Sequence, residues 1–176
     1  MAKVSIIIPT YNREEMLAKC IESCLAQDFR DIEVIVADDC STDGTRSQVE
    51  SLAQTPTQTQ TPAPALRYVR TPRNGMSALA RNTGAAAAKG EWLFFLDDDN
   101  VLAPSCVREL LAAAVRHPGT GLVAPLTMNV LPDGSRRAWT YSEDYNRWTS
   151  RTLSVHTAPE SVVDSPTTYS PNAFMV

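Results

Sequence analysis

The chain has 176 residues, a formal net charge of −4, 43% hydrophobic residues and 20% charged residues. This composition excludes a collagen-like, coiled-coil or wholly disordered chain, and the apolar runs are far shorter than the roughly 18 residues that a membrane span needs. The four cysteines form no CxxC pair and are accompanied by two histidines, so neither a disulfide framework nor a structural zinc site is indicated.

Short apolar runs alternate with helical patterns through the first 118 residues. Strands are predicted at residues 4–8, 32–37, 66–69 and 92–96, and helices between them, including one at 77–88. The first helix is predicted to begin with Asn12 as its N-cap. Its core-facing residues recur at helical spacing: Leu17, Cys20, Ile21, Cys24 and Leu25. This alternation predicts an α/β fold with a mostly parallel central sheet.

The second part of the chain has a weaker pattern. After a helix that follows Pro104 and ends before Pro118, residues 122–130 are predicted as a strand, followed by a turn and a second strand at 136–139. Residues 54–64 are polar and rich in proline, which indicates an exposed loop. Beyond residue 140 the pattern fades, and the last four residues are apolar without a cap, so we expect a C-terminally truncated domain. No signal peptide is indicated, and we expect a cytoplasmic protein without a nucleic-acid partner.

Charge is sorted along the sequence. Residues 51–90 contain five basic side chains and no acidic ones, whereas residues 91–100 contain four acidic side chains and no basic ones. Acidic clusters follow the second and fourth predicted strands. Because ligands of open α/β sheets bind beyond the carboxyl ends of parallel strands, these clusters are expected to converge on one site. A basic stretch beside an acidic cluster suits a polyanion bound with a divalent cation.

Three consecutive aspartates, Asp97, Asp98 and Asp99, follow the fourth strand. Adjacent carboxylates repel one another, and a hard divalent cation, Mn²⁺ or Mg²⁺, relieves that repulsion while leaving positions for phosphate. In an extended segment Asp97 and Asp99 point to the same side, which makes them the better ligand candidates. The alternative is a solvated strand end with one capping aspartate.

Three further features are candidate parts of a nucleotide site. Asp38-Asp39 could accept hydrogen bonds from a base or ribose, or could simply cap the following helix. Tyr11 could stack on a base beside Thr10, although this segment alone would be interpreted as a loop. Arginine side chains suit a diphosphate, and some of them are expected to be surface charges only. These arginines are Arg67, Arg70, Arg73 and Arg81.

The order of these segments resembles the inverting nucleotide-sugar glycosyltransferases of family 2, which have the Rossmann-like GT-A fold. The matching segments are VSIIIPTYNR at 4–13, VADDCSTDGT at 36–45, NG at 74–75, ARNTG at 80–84, GE at 90–91 and FLDDD at 95–99. The resemblance covers residues 3 to 118 well and the remainder loosely. It implies a GT-A α/β/α sandwich with a nucleotide-sugar-binding subdomain at 1–118 and an incomplete acceptor-binding subdomain at 119–176.

The resemblance also implies roles for individual residues. Asp39 would accept N3–H of uracil, Asp97 and Asp99 would form the DxD motif at the ribose and metal, and Arg81 would lie near the nucleotide or its diphosphate. The nucleotide-binding set is Pro9, Thr10, Tyr11, Asp39, Arg81, Asp97 and Asp98, and the metal-binding pair is Asp99 and Asp97. The donor would be a nucleotide sugar, with UDP as the nucleotide, and the acceptor an unknown carbohydrate, lipid or other molecule.

A catalytic base is not assigned. The family's base follows the region at which this sequence ends, so we expect it beyond Val176. Residues 172–175 look like the family's lead-in to its acceptor half. Glu143-Asp144 resembles the family's acidic base motif but precedes that segment, and Asp164 lacks the matching context, so none of them takes the role.

Three other functions were weighed. A non-catalytic nucleotide-sugar-binding module would have this same sequence pattern. A phosphoryl-receiving domain would need a single phosphoacceptor aspartate and a later lysine, whereas no lysine follows Lys89. A dinucleotide-dependent oxidoreductase would need GxGxxG after the first strand.

Overall fold

The computed structural model describes residues 3–54, 64–119 and 121–123, and the backbone of three strands at 128–130, 136–138 and 173–175. The described helices are α1 (Glu14–Leu25), α2 (Thr45–Gln54), α3 (Met76–Ala87) and α4 (Cys106–Arg116). The described strands are β1 (Val4–Thr10), β2 (Ile32–Asp38), β3 (Ala65–Arg70), β4 (Trp92–Leu96), β5 (Met128–Val130), β6 (Arg136–Ala138) and β7 (Ala173–Met175).

The main sheet has the strand order β3-β2-β1-β4-β7. The first four strands of this order are parallel, and β7 pairs antiparallel with β4. Within the register, Thr10 lies opposite Asp38, and Asp38 lies opposite Arg70. The carboxyl ends of β1, β2 and β3 therefore meet at the same edge of the sheet. Strands β5 and β6 form a separate antiparallel pair.

The two central strands are buried along their whole length, as their continuous apolar sequences predict. Ile6 and Ile8 of β1 belong to a core cluster that also contains residues of α1 and α4. Ile7, which lies between these two residues in the chain, is on the opposite face of the sheet. It contacts α3 at Gly84, where any side chain would clash with Ile7. Helices thus cover both faces of the sheet, which gives an α/β/α sandwich.

Most of the predicted elements of the first 118 residues are confirmed. The strands and helices occur where they were expected, with ends that differ by one to three residues. The predicted face of α1 is buried, and the four cysteines are free thiols, of which Cys20 and Cys24 are buried and Cys40 and Cys106 partly buried. In the second part of the chain, the strand predicted at 136–139 is observed at 136–138.

Three predictions differ from the structure. Asn12 does not cap α1: the N-cap is Arg13, without a capping side chain, and Asn12 has a φ of 51°. Of the strand predicted at 122–130, the structure describes a strand at Met128–Val130 and none at Leu122, and residues 124–127 lie outside the described residues. Strand β7, at the apolar end of the chain, was not predicted, since its partner β4 is distant in sequence. The predicted loop at 54–64 lies largely outside the described residues, as do Glu143, Asp144 and Asp164.

Candidate active site

A cleft of about 970 Å³ lies at the carboxyl edge of the sheet. Its size is within the range of small-ligand and cofactor sites. The cleft is lined by Pro9, Thr10, Tyr11, Arg13, Asp39, Asn74, Met76, Ser77, Ala80, Arg81, Asp97, Asp98 and Asp99. Every residue predicted for nucleotide or metal binding is in this set. The structure therefore brings together side chains that come from the ends of β1, β2 and β4 and from α3.

Asp39 lines the cleft and is buried. Its Oδ1 accepts hydrogen bonds from the Thr71 hydroxyl at 3.1 Å and the Gly75 amide at 3.0 Å. The Gly75 amide also lies 3.2 Å from Oδ2. The backbone amide of Asp39 donates to the Thr10 carbonyl at 2.9 Å, which ties the end of β2 to the end of β1. Asp39 is thus a fixed acceptor in the wall of the cleft.

Asp38, the other member of the acidic pair, is outside the cleft lining and fully buried. It accepts hydrogen bonds from the backbone amide and hydroxyl of Ser41 and from the Tyr68 hydroxyl. Burial and the hydrogen bond to Asp38 raise the pKa of Tyr68. Arg70, at the end of β3, lies 3.4 Å from Asp38. Because Asp38 also accepts from Ser41, it joins the loop after β2 to the end of β3.

The loops after β1 and β2 are joined by reciprocal hydrogen bonds. The Asn12 amide donates to Ser41 Oγ at 2.9 Å, and the Thr42 amide donates to Asn12 Oδ1 at 2.8 Å. Asn12, Cys40 and Met76 all have positive φ, in the left-handed region that residues other than glycine rarely adopt. Each follows one of the strands β1 to β3, and such conformations cluster at functional sites.

The aspartate triplet forms a turn rather than the extended segment assumed for the sequence. The Asn100 amide donates to the Asp97 carbonyl at 3.1 Å, so Asp97 and Asp99 do not lie in an extended strand, contrary to the prediction. Asp97 is partly buried, Asp98 is buried and Asp99 is exposed. Burial raises the pKa of Asp97 and of Asp98 above the ordinary value of 3.8.

Arg81, Thr10 and Arg13 together contact the three aspartates of the turn. Arg81 Nη2 lies 2.6 Å from Asp97 Oδ1, and the Thr10 hydroxyl donates to Asp98 Oδ2 at 2.7 Å. Arg13 Nη1 lies 3.2 Å from Asp99 Oδ2 and 3.6 Å from Asp98 Oδ1. Arg13 was not predicted as a site residue, although it belongs to the first matching segment. A single arginine at the start of a helix carries no signal of the carboxylates that it will meet.

Of the four arginines predicted to supply positive charge, Arg81 alone lines the cleft. Arg67 pairs with the buried Glu33 at 3.1 Å and donates to the Ala87 carbonyl at 2.9 Å. Burial by itself raises the pKa of Glu33, but hydrogen bonds from the Ser5 hydroxyl, the Lys89 amide and Arg67 give a net lowering. Arg70 pairs with Asp38, and Arg73 is exposed outside the cleft lining.

The acidic turn fits a divalent cation that arrives with phosphate. Among the described residues no group of three or more His, Cys, Asp or Glu side chains could by itself hold a metal ion. Magnesium is typically bound by one or two carboxylates together with substrate phosphates and water, so a complete protein cage is not required. The hard carboxylate oxygens of Asp97 and Asp99 suit Mg²⁺ and Mn²⁺.

Comparison with known proteins agrees with this geometry. Residues 5–169 match the family described as glycosyl transferase family 2, and the chain belongs to that family. Its α/β/α sandwich is a GT-A fold.

A relative of known activity is the GalNAc(5)-diNAcBac-PP-undecaprenol beta-1,3-glucosyltransferase of Campylobacter jejuni. It is 37% identical over 116 residues, which is 65% of this chain and 35% of the relative. The chain spans about a third of the length of the curated relatives that it matches.

Two solved structures share the fold and contain nucleotides. S. aureus TarS 1-349 in complex with UDP has a TM-score of 0.61 and 27% identity, over 74% of this chain and 36% of TarS. Mannosyltransferase PcManGT from Pyrobaculum calidifontis, in complex with GDP-Man and Mn²⁺, has a TM-score of 0.60 and 32% identity, over 71% and 35%. In the described part of the present chain, no helix has the length and hydropathy of a membrane span.

Proposed function

We propose that this chain is the donor-binding part of an inverting, metal-assisted glycosyltransferase that uses a UDP-sugar. The observation that carries the proposal is the single cleft in which the buried acceptor Asp39, the cation Arg81 and the acidic turn lie together. Asp39 would receive the base of a nucleotide sugar, Arg81 its diphosphate, and the acidic turn a divalent cation bound with it. The acceptor would be a carbohydrate, a lipid or another molecule.

The hydrogen bonds of Asp39 favour uracil over guanine. A carboxylate has about four acceptor positions, two on each oxygen. Oδ1 lies within hydrogen-bond distance of the Gly75 amide and of the Thr71 hydroxyl, whose one proton also faces the Arg73 carbonyl at 2.8 Å. The Gly75 amide approaches Oδ2 as well, so room for a ligand donor is left mainly at Oδ2. Uracil presents one donor, N3–H, whereas guanine presents N1–H and an amino group side by side. Tyr11 lies at the same cleft and is half exposed, so its ring could stack on the base.

The opposite end of the cleft would hold the diphosphate. The guanidinium of Arg81 is fixed by its ion pair with Asp97 and could donate its remaining N–H groups to phosphate oxygens. A Mg²⁺ or Mn²⁺ ion held by Asp99 and Asp97 would neutralise the charge that develops on the leaving diphosphate. Thr10 and Asp98 would fix the turn that positions these ligands, and Pro9 would form the adjoining wall.

A catalytic base is not assigned to the described cleft. Its four carboxylates, Asp39, Asp97, Asp98 and Asp99, each contact a donor or a cation of the protein and are proposed for base and metal binding. Inverting transfer needs another group to take the proton of the acceptor hydroxyl. This observation makes a non-catalytic nucleotide-sugar-binding module the second candidate function.

Calorimetry with UDP, GDP, CDP and dTDP, each with Mn²⁺ and after EDTA treatment, tests the proposal. We expect UDP to bind more tightly than GDP and CDP, and to bind more tightly with Mn²⁺. Tighter binding of GDP or dTDP than of UDP would reject the uridine assignment. Equal UDP affinity after EDTA treatment would reject the metal role. Sugar transfer or donor hydrolysis, measured with the full gene product, separates an enzyme from a binding module.

A further inference from the structure

Arg13 contacts Asp99, one of the two carboxylates at which the metal is proposed to bind, and the neighbouring Asp98. Its Nη1 atom lies 3.2 Å from Asp99 Oδ2 and 3.6 Å from Asp98 Oδ1. One guanidinium nitrogen therefore lies within ion-pair distance of two neighbouring carboxylates. A divalent cation bound to Asp99 from inside the cleft would meet the positive charge of this guanidinium.

The two arginines of the cleft differ in how firmly they are held. Arg81 has 27% of its side chain exposed and lies 2.6 Å from Asp97, which is 30% exposed. Arg13 has 47% of its side chain exposed, and its closer partner Asp99 is 45% exposed. Exposed ion pairs are weak because water screens them and because holding two long side chains costs entropy. Arg13 can therefore leave its carboxylates more easily than Arg81 can.

The formal charges of the acidic turn and the two arginines leave one negative charge, because three carboxylates face two guanidinium groups. The turn without ligands is thus nearly neutral and attracts a free divalent cation only weakly. A diphosphate changes this balance, since its oxygens offer a guanidinium a bidentate partner of higher charge than a single carboxylate.

We propose that Arg13 is a displaceable counter-ion that occupies Asp98 and Asp99 until a diphosphate draws it away, so that the divalent cation and the nucleotide bind cooperatively. This inference rests on the proposed function, because it takes the nucleotide diphosphate as the group that receives Arg13. Binding linkage is reciprocal, so the factor by which UDP strengthens Mn²⁺ binding equals the factor by which Mn²⁺ strengthens UDP binding.

The test is a titration of the 176-residue chain with Mn²⁺ alone, in which the electron paramagnetic resonance signal of the free ion measures binding. Arg13→Gln should raise the affinity for Mn²⁺ about three- to tenfold, because the competing charge is removed. The same titration with saturating UDP should show a smaller gain on adding UDP in Arg13→Gln than in the unchanged protein.

Arg108→Gln is the matched control. Arg108 is also an exposed arginine in an ion pair, with Asp28 at 3.0 Å, and lies outside the cleft lining. Its substitution removes the same charge and should leave Mn²⁺ affinity unchanged.

Mn²⁺ affinity of Arg13→Gln that is unchanged or weaker overturns the proposal, and so does undetectable binding to both proteins. If Arg13 were only a phosphate ligand, the variant would lose UDP affinity without gaining Mn²⁺ affinity. If UDP binds neither protein, the proposed function fails, whereas the titration with Mn²⁺ alone still decides whether Arg13 competes with the metal.

Discussion

The hydroxyl of Thr10 donates a 2.7 Å hydrogen bond to Oδ2 of Asp98, and both side chains are buried. This bond joins the last residue of β1 to the turn that follows β4. Burial raises the pKa of Asp98, and the hydrogen bond from Thr10 opposes that rise by stabilising the ionised carboxylate. The Thr10 hydroxyl therefore both holds the acidic turn in position and stabilises the negative charge of Asp98.

Replacing Thr10 with valine should weaken both folding and UDP binding. Valine has nearly the same shape, so the main change is a buried carboxylate that loses its donor, which costs about 1 to 3 kcal/mol. Urea denaturation measures the free energy of unfolding, and calorimetry measures UDP affinity. Thr10→Ser keeps the hydroxyl and is the control. Unchanged stability and UDP affinity in Thr10→Val would show that this hydrogen bond contributes to neither.

Asp39→Asn should alter base recognition while leaving the local fold intact. The asparagine Oδ1 can still accept from Thr71 and Gly75, whereas Oδ2, which the Gly75 amide also approaches and which is proposed to face the base, becomes an amino group. UDP binding should weaken by about 1 to 3 kcal/mol, since N3–H of uracil then faces another donor.

Cytosine offers an acceptor at N3, so the preference of Asp39→Asn for UDP over CDP should narrow. Calorimetry with the two nucleotides measures this ratio. An unchanged ratio would place the base elsewhere in the cleft.

Asp99→Ala should remove the Mn²⁺ enhancement of UDP binding and leave much of the metal-free affinity. Asp39→Asn should instead lower UDP affinity by a similar factor with and without Mn²⁺. Calorimetry in Mn²⁺ and in EDTA separates the two effects. If both variants lose the same component, the separation into a base-binding end and a metal-binding end is incorrect.

Asp98→Asn should make the ligand-free protein more stable at neutral pH. The pKa of Asp98 is raised in the folded state, so the folded protein holds this proton more tightly than the unfolded chain does. The stability contributed by this group is fully present below the unfolded pKa and is lost as pH rises through the folded pKa.

Asparagine stays uncharged at every pH, so the advantage of Asp98→Asn should be largest at pH 7 and shrink as pH falls toward the ordinary value of 3.8. Urea denaturation across this pH range gives the difference. Asp31→Asn removes the same charge from an exposed position and controls for net charge. A variant less stable than the unchanged protein at pH 7 would contradict the expected burial penalty.

Gly84→Ala should destabilise the sheet. A Cβ atom at this position would lie 2.4 Å from Ile7 Cγ2 and 3.3 Å from Ala37 Cβ, so α3 would have to move away from β1 and β2. Overpacking of this kind costs about 1 to 3 kcal/mol, and the better helix propensity of alanine returns up to about 1 kcal/mol.

The control is Gly121→Ala, because a Cβ there meets nothing within 4 Å among the described residues. The denaturation midpoint should fall only for Gly84→Ala. Equal midpoints would mean that α3 can shift without loss.

Much of the sheet and of the cleft follows from local sequence. Strands β1 and β2 are continuous apolar runs because both of their faces are buried, and this pattern can be recognised without the structure. Once the strands are taken as parallel, their carboxyl ends must share an edge, which brings Asp39 and Asp97 into one cleft.

The remaining features depend on partners that are distant in sequence. Asn12 resembles an N-cap locally, but its side chain instead accepts from the Thr42 amide, thirty residues away. The ion pairs of Arg13 likewise arise only when the turn after β4 meets the start of α1. No spacing rule within a single segment encodes these contacts.

The strand order has a consequence for how the protein folds. Strand β1 pairs with β2 near it in sequence and with β4, whose residues 92–95 lie opposite residues 4–7. Closing the second pairing restricts a long stretch of chain, and such non-local contacts slow folding. A partly folded chain with β1, β2 and β3 paired would hold Asp39 and its partners before the acidic turn docks. The Mn²⁺ enhancement of nucleotide binding that is proposed for the acidic turn would therefore report, during refolding, the moment at which β4 joins the sheet.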